Sequence, residues 1–311
     1  MTRLTRALAV ACAAGTFVSS SVVAQATRTW TGGGGNSSWT TAGNWGGIAP
    51  VAGDNLVFDA TGVGVNPGPS NTFPAATTFR SITVSASGYN ISGASVSLTQ
   101  GLTVNTYAAG SSSVSLVVGG AAPVTMSAAG TLVLSGANTF TGGLVIKSGT
   151  VNGAASATAF GAVSSVITLG DVSGSADATL NAGFTGTFAH PITVAGGSSG
   201  NTLRITNTGT VTFSGPISLN HDLTFVPTLS LVLTCTGGIT GTGNIIVSGT
   251  GTGAALTLSG GAVNPFGTIT NQGTNLGTTT ISGGVGANVT AITEASTTSA
   301  LTISTAALVV N

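Results

Sequence analysis

Between Gly130 and Gly153 the chain sets two short alternating apolar runs, Leu132/Leu134 and Leu144/Ile146, either side of a stretch rich in Gly, Asn and Thr, and a third run begins at Val151. Side chains of a strand alternate between its two sides, so Leu132 and Leu134 point one way and Val133 the other. Gly136 and the Gly142-Gly143 pair supply residues able to take positive φ, which lets the chain turn sharply. Strand, corner, strand, corner within about two dozen residues is the path of one coil of a parallel β-solenoid.

The same texture runs downstream. Pairs such as Ile82/Val84, Leu102/Val104, Ile192/Val194, Val211/Phe213, Ile217/Leu219, Ile245/Val247 and Leu256/Leu258 are separated by Gly, Asn, Ser or Pro. Outside the first residues no apolar period of 3.6 is long enough for a helix. A sandwich or closed barrel would also use many short strands. Two observations favour the solenoid. Residues 250–273 echo the Gly-x-Leu-x-Leu-Ser-Gly texture, as stacked repeats do. Only 4% of the 311 residues are charged, and a stack places like above like, where columns of Thr and Asn are stable and columns of charge repel. The expected fold is all-β, a single-stranded parallel β-helix. Residues 27–62, which hold Trp30, Trp39, Trp45 and a Gly32–Gly35 run, form a compositionally distinct block. They are expected to cap the first coil, with residues 63–311 as the repeat region.

Residues 1–26 have the organisation of a cleaved secretory signal. Arg3 and Arg6 precede an apolar stretch from Ala7 to Val18, Ser19–Ser21 interrupt it, and Ala24-Gln25-Ala26 is a small-x-small cleavage site. No transmembrane segment is expected after cleavage, and the chain would act as a secreted or outer-surface protein. Removal of the signal leaves four basic and six acidic side chains, a net charge of −2. That lacks the basic footprint that nucleic-acid binding requires. Cys12 leaves with the signal. Cys235, at period two with Leu229, Leu231 and Leu233, reads as an inward-facing small hydrophobe.

The core of the first motif, Leu132-Val133-Leu134-Ser135-Gly136-Ala137-Asn138-Thr139-Phe140-Thr141-Gly142-Gly143, resembles the autotransporter-associated β-strand repeat. Gly238–Ile245 is similar to the strand that often precedes that core. The block from Trp30 through Asn44-Trp45 and Pro50 to Phe58-Asp59 is similar to the opening of the same exported bacterial proteins. The resemblance implies an extracellular β-helical passenger or stalk. The family's outer-membrane barrel is not expected here, because nothing after Ala287 offers long amphipathic strands. In the second copy Val263-Asn264-Pro265-Phe266 stands where Asn-Thr-aromatic-Thr is expected.

Candidate sites are few. Asp54 and Asp59 are the closest carboxylate pair, and a glycosidase needs two carboxylates across a bound sugar. The same residues also serve as turn closers, at Gly53 and before Gly62, and no active-site motif surrounds them. Trp30, Trp39 and Trp45 are read either as a glycan-stacking patch or as a cover for the first coil. His190 and His221-Asp222 read as loop polarity. Asp171 and Asp177 bracket one loop that either holds a weak calcium ion or is a solvated turn. No cofactor and no metal is expected. The expectation is a non-catalytic structural or adhesive module, with a surface polysaccharide or a neighbouring cell surface as partner. The alternatives are a carbohydrate-binding or polysaccharide-degrading β-helix with its site near Asp54, Asp59 and the tryptophans, and a filament subunit stacked end to end through the strand-like run at 301–311.

Overall fold

The computed structural model describes residues 25–197, 202–274 and 276–304. The signal expected at 1–26 and the last part of the run at 301–311 therefore lie largely outside the described residues. The protein is an all-β parallel solenoid of about 11 turns with almost no helix. Among the described residues helix is confined to one 3-10 turn, Ala42–Trp45, and one α-turn, Ala60–Val63.

Every strand pairs in parallel with strands one turn before or after it, and beyond the first pair, Thr27–Thr29 with Asn55–Phe58, never with its neighbour in sequence. The first face runs from Thr27–Thr29 to Ile239–Gly241, and the second from Ser70–Asn71 to Val289–Glu294. The third holds six strands, from Gly186–Phe188 to Leu301–Ile303. Before Gly186 that side is closed by the leading halves of Thr77–Val84 and Val96–Val104 and by irregular segments. Even there the stack continues, because the Thr139 and Thr141 amides donate to the carbonyls of Val118 and Gly120, each at 2.9 Å.

The register explains the stability. On the first face Leu56, Ile82, Leu102, Val124, Leu144, Ile167, Ile192, Ile217 and Ile239 are successive partners, and isolated bridges extend the column to Val263 and Val285. All eleven are buried. Each such side chain contributes about 1.5–3 kcal/mol when fully withdrawn from water. Along this column turn length varies from 20 residues (Ile82 to Leu102) to 26 (Leu56 to Ile82), and on the second face from 19 (Thr131 to Thr150) to 29 (Gly149 to Ala178); corners absorb the difference. Outward positions between the apolar columns are mostly Thr: Thr83, Thr103, Thr125, Thr168, Thr193 and Thr240 align on the first face.

Two local expectations are corrected. Leu132 and Leu134 belong to the second face, whereas Leu256 and Leu258, their counterparts in the echo at 250–273, belong to the third. The echo is therefore no equivalent coil position. Any face accepts Leu-x-Leu followed by a Ser-Gly corner. The coil continues through Val263-Asn264-Pro265-Phe266 with Val263 in the core column, while Phe266 is 61% exposed. Leu229 is likewise not in line with Leu233 and Cys235. It has φ +55° in a turn and is 61% exposed, because the strand begins only at Val232.

Ile167→Ala, in the middle of the column, should cost about 2–5 kcal/mol through the cavity it leaves. The urea midpoint of unfolding measures this, and an unchanged midpoint would show that the column does not carry the stack.

Candidate functional site

The repeat segment is built as a joint between turns. Leu132 and Leu134 point inward, and Phe140 is fully buried. Asn138 is buried between them and reaches both neighbouring turns. Its Oδ1 accepts from the Val118 amide at 2.8 Å, and its Nδ2 donates to the Ala159 carbonyl at 2.7 Å. One side chain thus satisfies a backbone group in the turn before and one in the turn after, where unpaired groups would be costly. Gly136 lies against the Leu116 carbonyl. Gly142 passes so close to the preceding turn that a Cβ would sit 2.3 Å from the Ala122 carbonyl carbon, and Gly143 has φ +90°. A larger residue at either corner would separate the turns.

The tryptophans do not form a sugar platform. Trp30, Trp39 and Trp45 are 0%, 0% and 5% exposed. They pack with Phe58 and Phe79 in edge and tilted contacts, with Trp30–Trp45 centroids 5.2 Å apart. Trp30 Nε1 donates to the Asn66 carbonyl and Trp45 Nε1 to the Trp39 carbonyl, both at 2.8 Å. Gly62 follows from this packing, since a Cβ there would lie 2.4 Å from the Trp30 ring. Thr27–Thr29 and Asn55–Phe58 are the first strands of the first face, so the opening block is continuous with the solenoid.

Nor do the acids converge. Asp54, 1% exposed, accepts from the amides of Ala26 and Val51 and from Arg28 Nε at 3.2 Å. Asp59 caps the short helical turn through the Thr61 amide. The negative charge of Asp59 and, more strongly, burial hold the Tyr89 phenol up at about 12. Asp171 pairs with Lys147 at 3.7 Å, and Asp177 with Arg204 at 2.9 Å. The Thr202 amide, and secondarily Arg204, hold the Asp177 carboxyl below its usual range. Asp222 accepts from Asn244 of the following turn, and His221 Nδ1 lies 3.2 Å from the Asp222 carbonyl. No group of three or more metal-ligating side chains comes together among the described residues.

Two features had no clear signal in the sequence. The first is a set of buried asparagines at corners. Asn44, Asn71, Asn207 and Asn271 each hold loop backbone, as Asn138 does. Asn138 lies in the repeat motif and Asn44 in the opening block, whereas Asn71, Asn207 and Asn271 lie in no motif. The second is a furrow on the second face, made of two adjoining clefts of about 280 and 430 Å³ that share Arg204. Its walls are Thr150, Thr179, Thr224, Ser248 and Gln272, and Val226 and Ile246 supply an apolar strip. Beside it Asn152 and Asn181 stack in register, and the Oδ1 of each lacks a hydrogen-bond partner.

The Passenger-associated-transport-repeat family matches residues 126–152. The chain thus carries one passenger-type transport repeat, set within a parallel β-solenoid. The matched passenger repeat begins at Met126 on the first face, passes Ile146 directly above it, and ends at Asn152 on the second face. It covers one full turn and the start of the next, which is the unit that Asn138 ties to its neighbours. No curated protein and no solved structure matches the chain significantly.

Two buried titratable groups are outside this joint. Cys235 is a free thiol on the inward side of the third face, and burial pushes it up to about 12. It should resist alkylation in the native protein and react once urea unfolds the chain; labelling of the folded protein would contradict the burial. His190 is fully buried against Phe160, with Nε2 on the Gly161 carbonyl at 3.1 Å and Nδ1 unpaired. Burial holds its pKa below 6.5. As the pH falls, the unfolded chain takes up this proton first, so stability is full above about 6.5 and declines from there towards the lower folded value. His190→Leu should flatten that part of the stability-against-pH curve, and an unchanged slope would exclude His190 as its source. Asn138→Ala should cost about 1–3 kcal/mol for each backbone group it orphans, read as a lower unfolding midpoint.

Proposed function

We propose that the chain is a structural and adhesive module displayed outside a bacterial cell, a stiff passenger-type rod with neutral polar faces. The observation that carries this reading is the passenger repeat at 126–152 set within an unbroken in-register column from Leu56 to Val285. A stack in which every turn hydrogen-bonds to the next bends little, and its length grows by about 4.8 Å per turn. The signal-like residues 1–26 support export. The low charge suits adhesion by hydrogen bonding and multivalency, with little electrostatic steering.

The furrow on the second face is the adhesive surface this reading favours. Arg204, Ser248 and Gln272 offer donors and acceptors, and Val226 and Ile246 can pack against the apolar face of a sugar ring. The partner is then a neutral or weakly acidic surface polysaccharide lying along the stack. Catalysis is not part of the proposal: Asp177, the acid in the furrow, is committed to Arg204 and Thr202.

Small-angle scattering of the purified chain should give the profile of an elongated rod, and a polysaccharide panel should show retention that falls with Arg204→Ala while the scattering profile is kept. A compact profile would remove the rod. Cleavage of any panel member would replace the adhesive reading with an enzymatic one.

A further inference from the structure

The third face carries an uncharged lattice of hydroxyls. In strict register Thr187, Thr212, Thr234, Thr257, Thr280 and Thr302 stand one above another on its outer side. Beneath them Phe188, Phe213, Cys235, Leu258 and Ile281 point into the core. The chain stays in register for one more residue, since the amides of Ser214, Thr236, Ser259 and Ser282 each donate to the turn before. These four form a second outward rank beside the first. None of the hydroxyls in the two ranks is hydrogen-bonded to another described residue, and no strand of this face contains a charged residue. The other two faces differ: Val145 interrupts the Thr column of the first, and Arg204 that of the second.

We infer that the third face binds ice. Parallel rungs set the Thr side chains about 4.7–4.9 Å apart along the stack, and alternate residues of a strand are about 6.6–6.8 Å apart across it. The first of these spacings is close to the oxygen repeat of hexagonal ice. β-Branched Thr is stiff at χ1, so in the first rank each hydroxyl and methyl is held in place before it meets the crystal; the second rank, Ser214, Thr236, Ser259 and Ser282, adds further hydroxyls. The hydroxyls replace lattice waters as hydrogen-bond partners, and the methyls order the water between them. A charged side chain would hold its own hydration shell and break the match, and this face has none. The inference does not rest on where the chain is displayed. It adds a crystalline target to a protein whose furrow, on another face, is assigned to polysaccharide.

The test is ice growth in the presence of the purified chain, watched by microscopy in a nanolitre osmometer. The wild-type protein should facet growing crystals and hold their growth below the melting point. Thr234→Tyr/Thr257→Tyr should lose both effects while keeping the wild-type circular dichroism and unfolding midpoint. Thr103→Tyr/Thr125→Tyr on the first face should keep them. Thr257→Lys, a smaller change, guards against a folding defect in the double variant and should also lose faceting. Round crystals without hysteresis for the wild type would overturn the inference, as would a fully active third-face variant. Capture on crystalline cellulose or chitin with ice growth unaffected would assign the lattice to a polysaccharide and overturn it equally.

Discussion

Everything in this molecule depends on one-to-one parallel pairing between successive turns. Because Leu56 stands beneath Ile82, and Ile82 beneath Leu102, any residue type placed at one position faces the same position of the next turn. Aliphatic residues pack well in that arrangement, and uncharged hydroxyls and amides tolerate it. Charges of one sign do not. The scarcity of Lys, Arg, Asp and Glu is thus a consequence of the stack, and the few that remain are spent locally. Asp54 with Arg28 fastens the first turns, and Asp177 with Arg204 bridges two strands.

The second requirement is to satisfy backbone at the corners, where the ladder stops. Buried asparagines meet it, each able to accept from one loop and donate to another. Asn138 does so across three successive turns. This gives the passenger repeat a physical meaning. Its Leu-x-Leu run fills the core, its Asn ties the corner to both neighbours, and its glycines let adjacent turns come within contact distance. Nothing in that inventory is chemistry upon a substrate. The segment holds turns together, and surfaces that meet other molecules lie on the faces between the joints.

Much of the fold was legible because its signal is local and repeated. Period-two apolar pairs such as Ile192/Val194 and Ile217/Leu219 fall on the inward side as read. What could not be read was the phase of each strand around the coil. Leu132/Leu134 and Leu256/Leu258 look alike and lie on different faces, since inward alternation is the same on all three. Leu229 shows the limit of periodicity, where a positive φ breaks an apparent row one strand early. The tryptophans were ambiguous in a different way. An aromatic cluster beside two acids looks the same in sequence whether the rings face sugar or core, and only their burial against Phe58 and Phe79, with the Asn66 and Trp39 carbonyls taking the indole donors of Trp30 and Trp45, decides between them. The furrow and the hydroxyl lattice had no sequence signature, because each is assembled from single residues some 20 positions apart.

The unequal lengths of the turns have a consequence for how such a chain changes over time. The turn from Leu56 to Ile82 is six residues longer than the one from Ile82 to Leu102, yet all three residues share one column. Corners therefore behave as spacers of free length, and strands of three residues behave as a reading frame of two. An insertion in a corner adds a bulge and leaves every later residue on its own side. A single inserted residue inside a strand turns that strand inside out, placing threonine in the core and leucine in water, until the next corner restores the frame. Variation in a lineage of such proteins should accumulate at corners, and the faces, with whatever they bind, should pass through it unchanged.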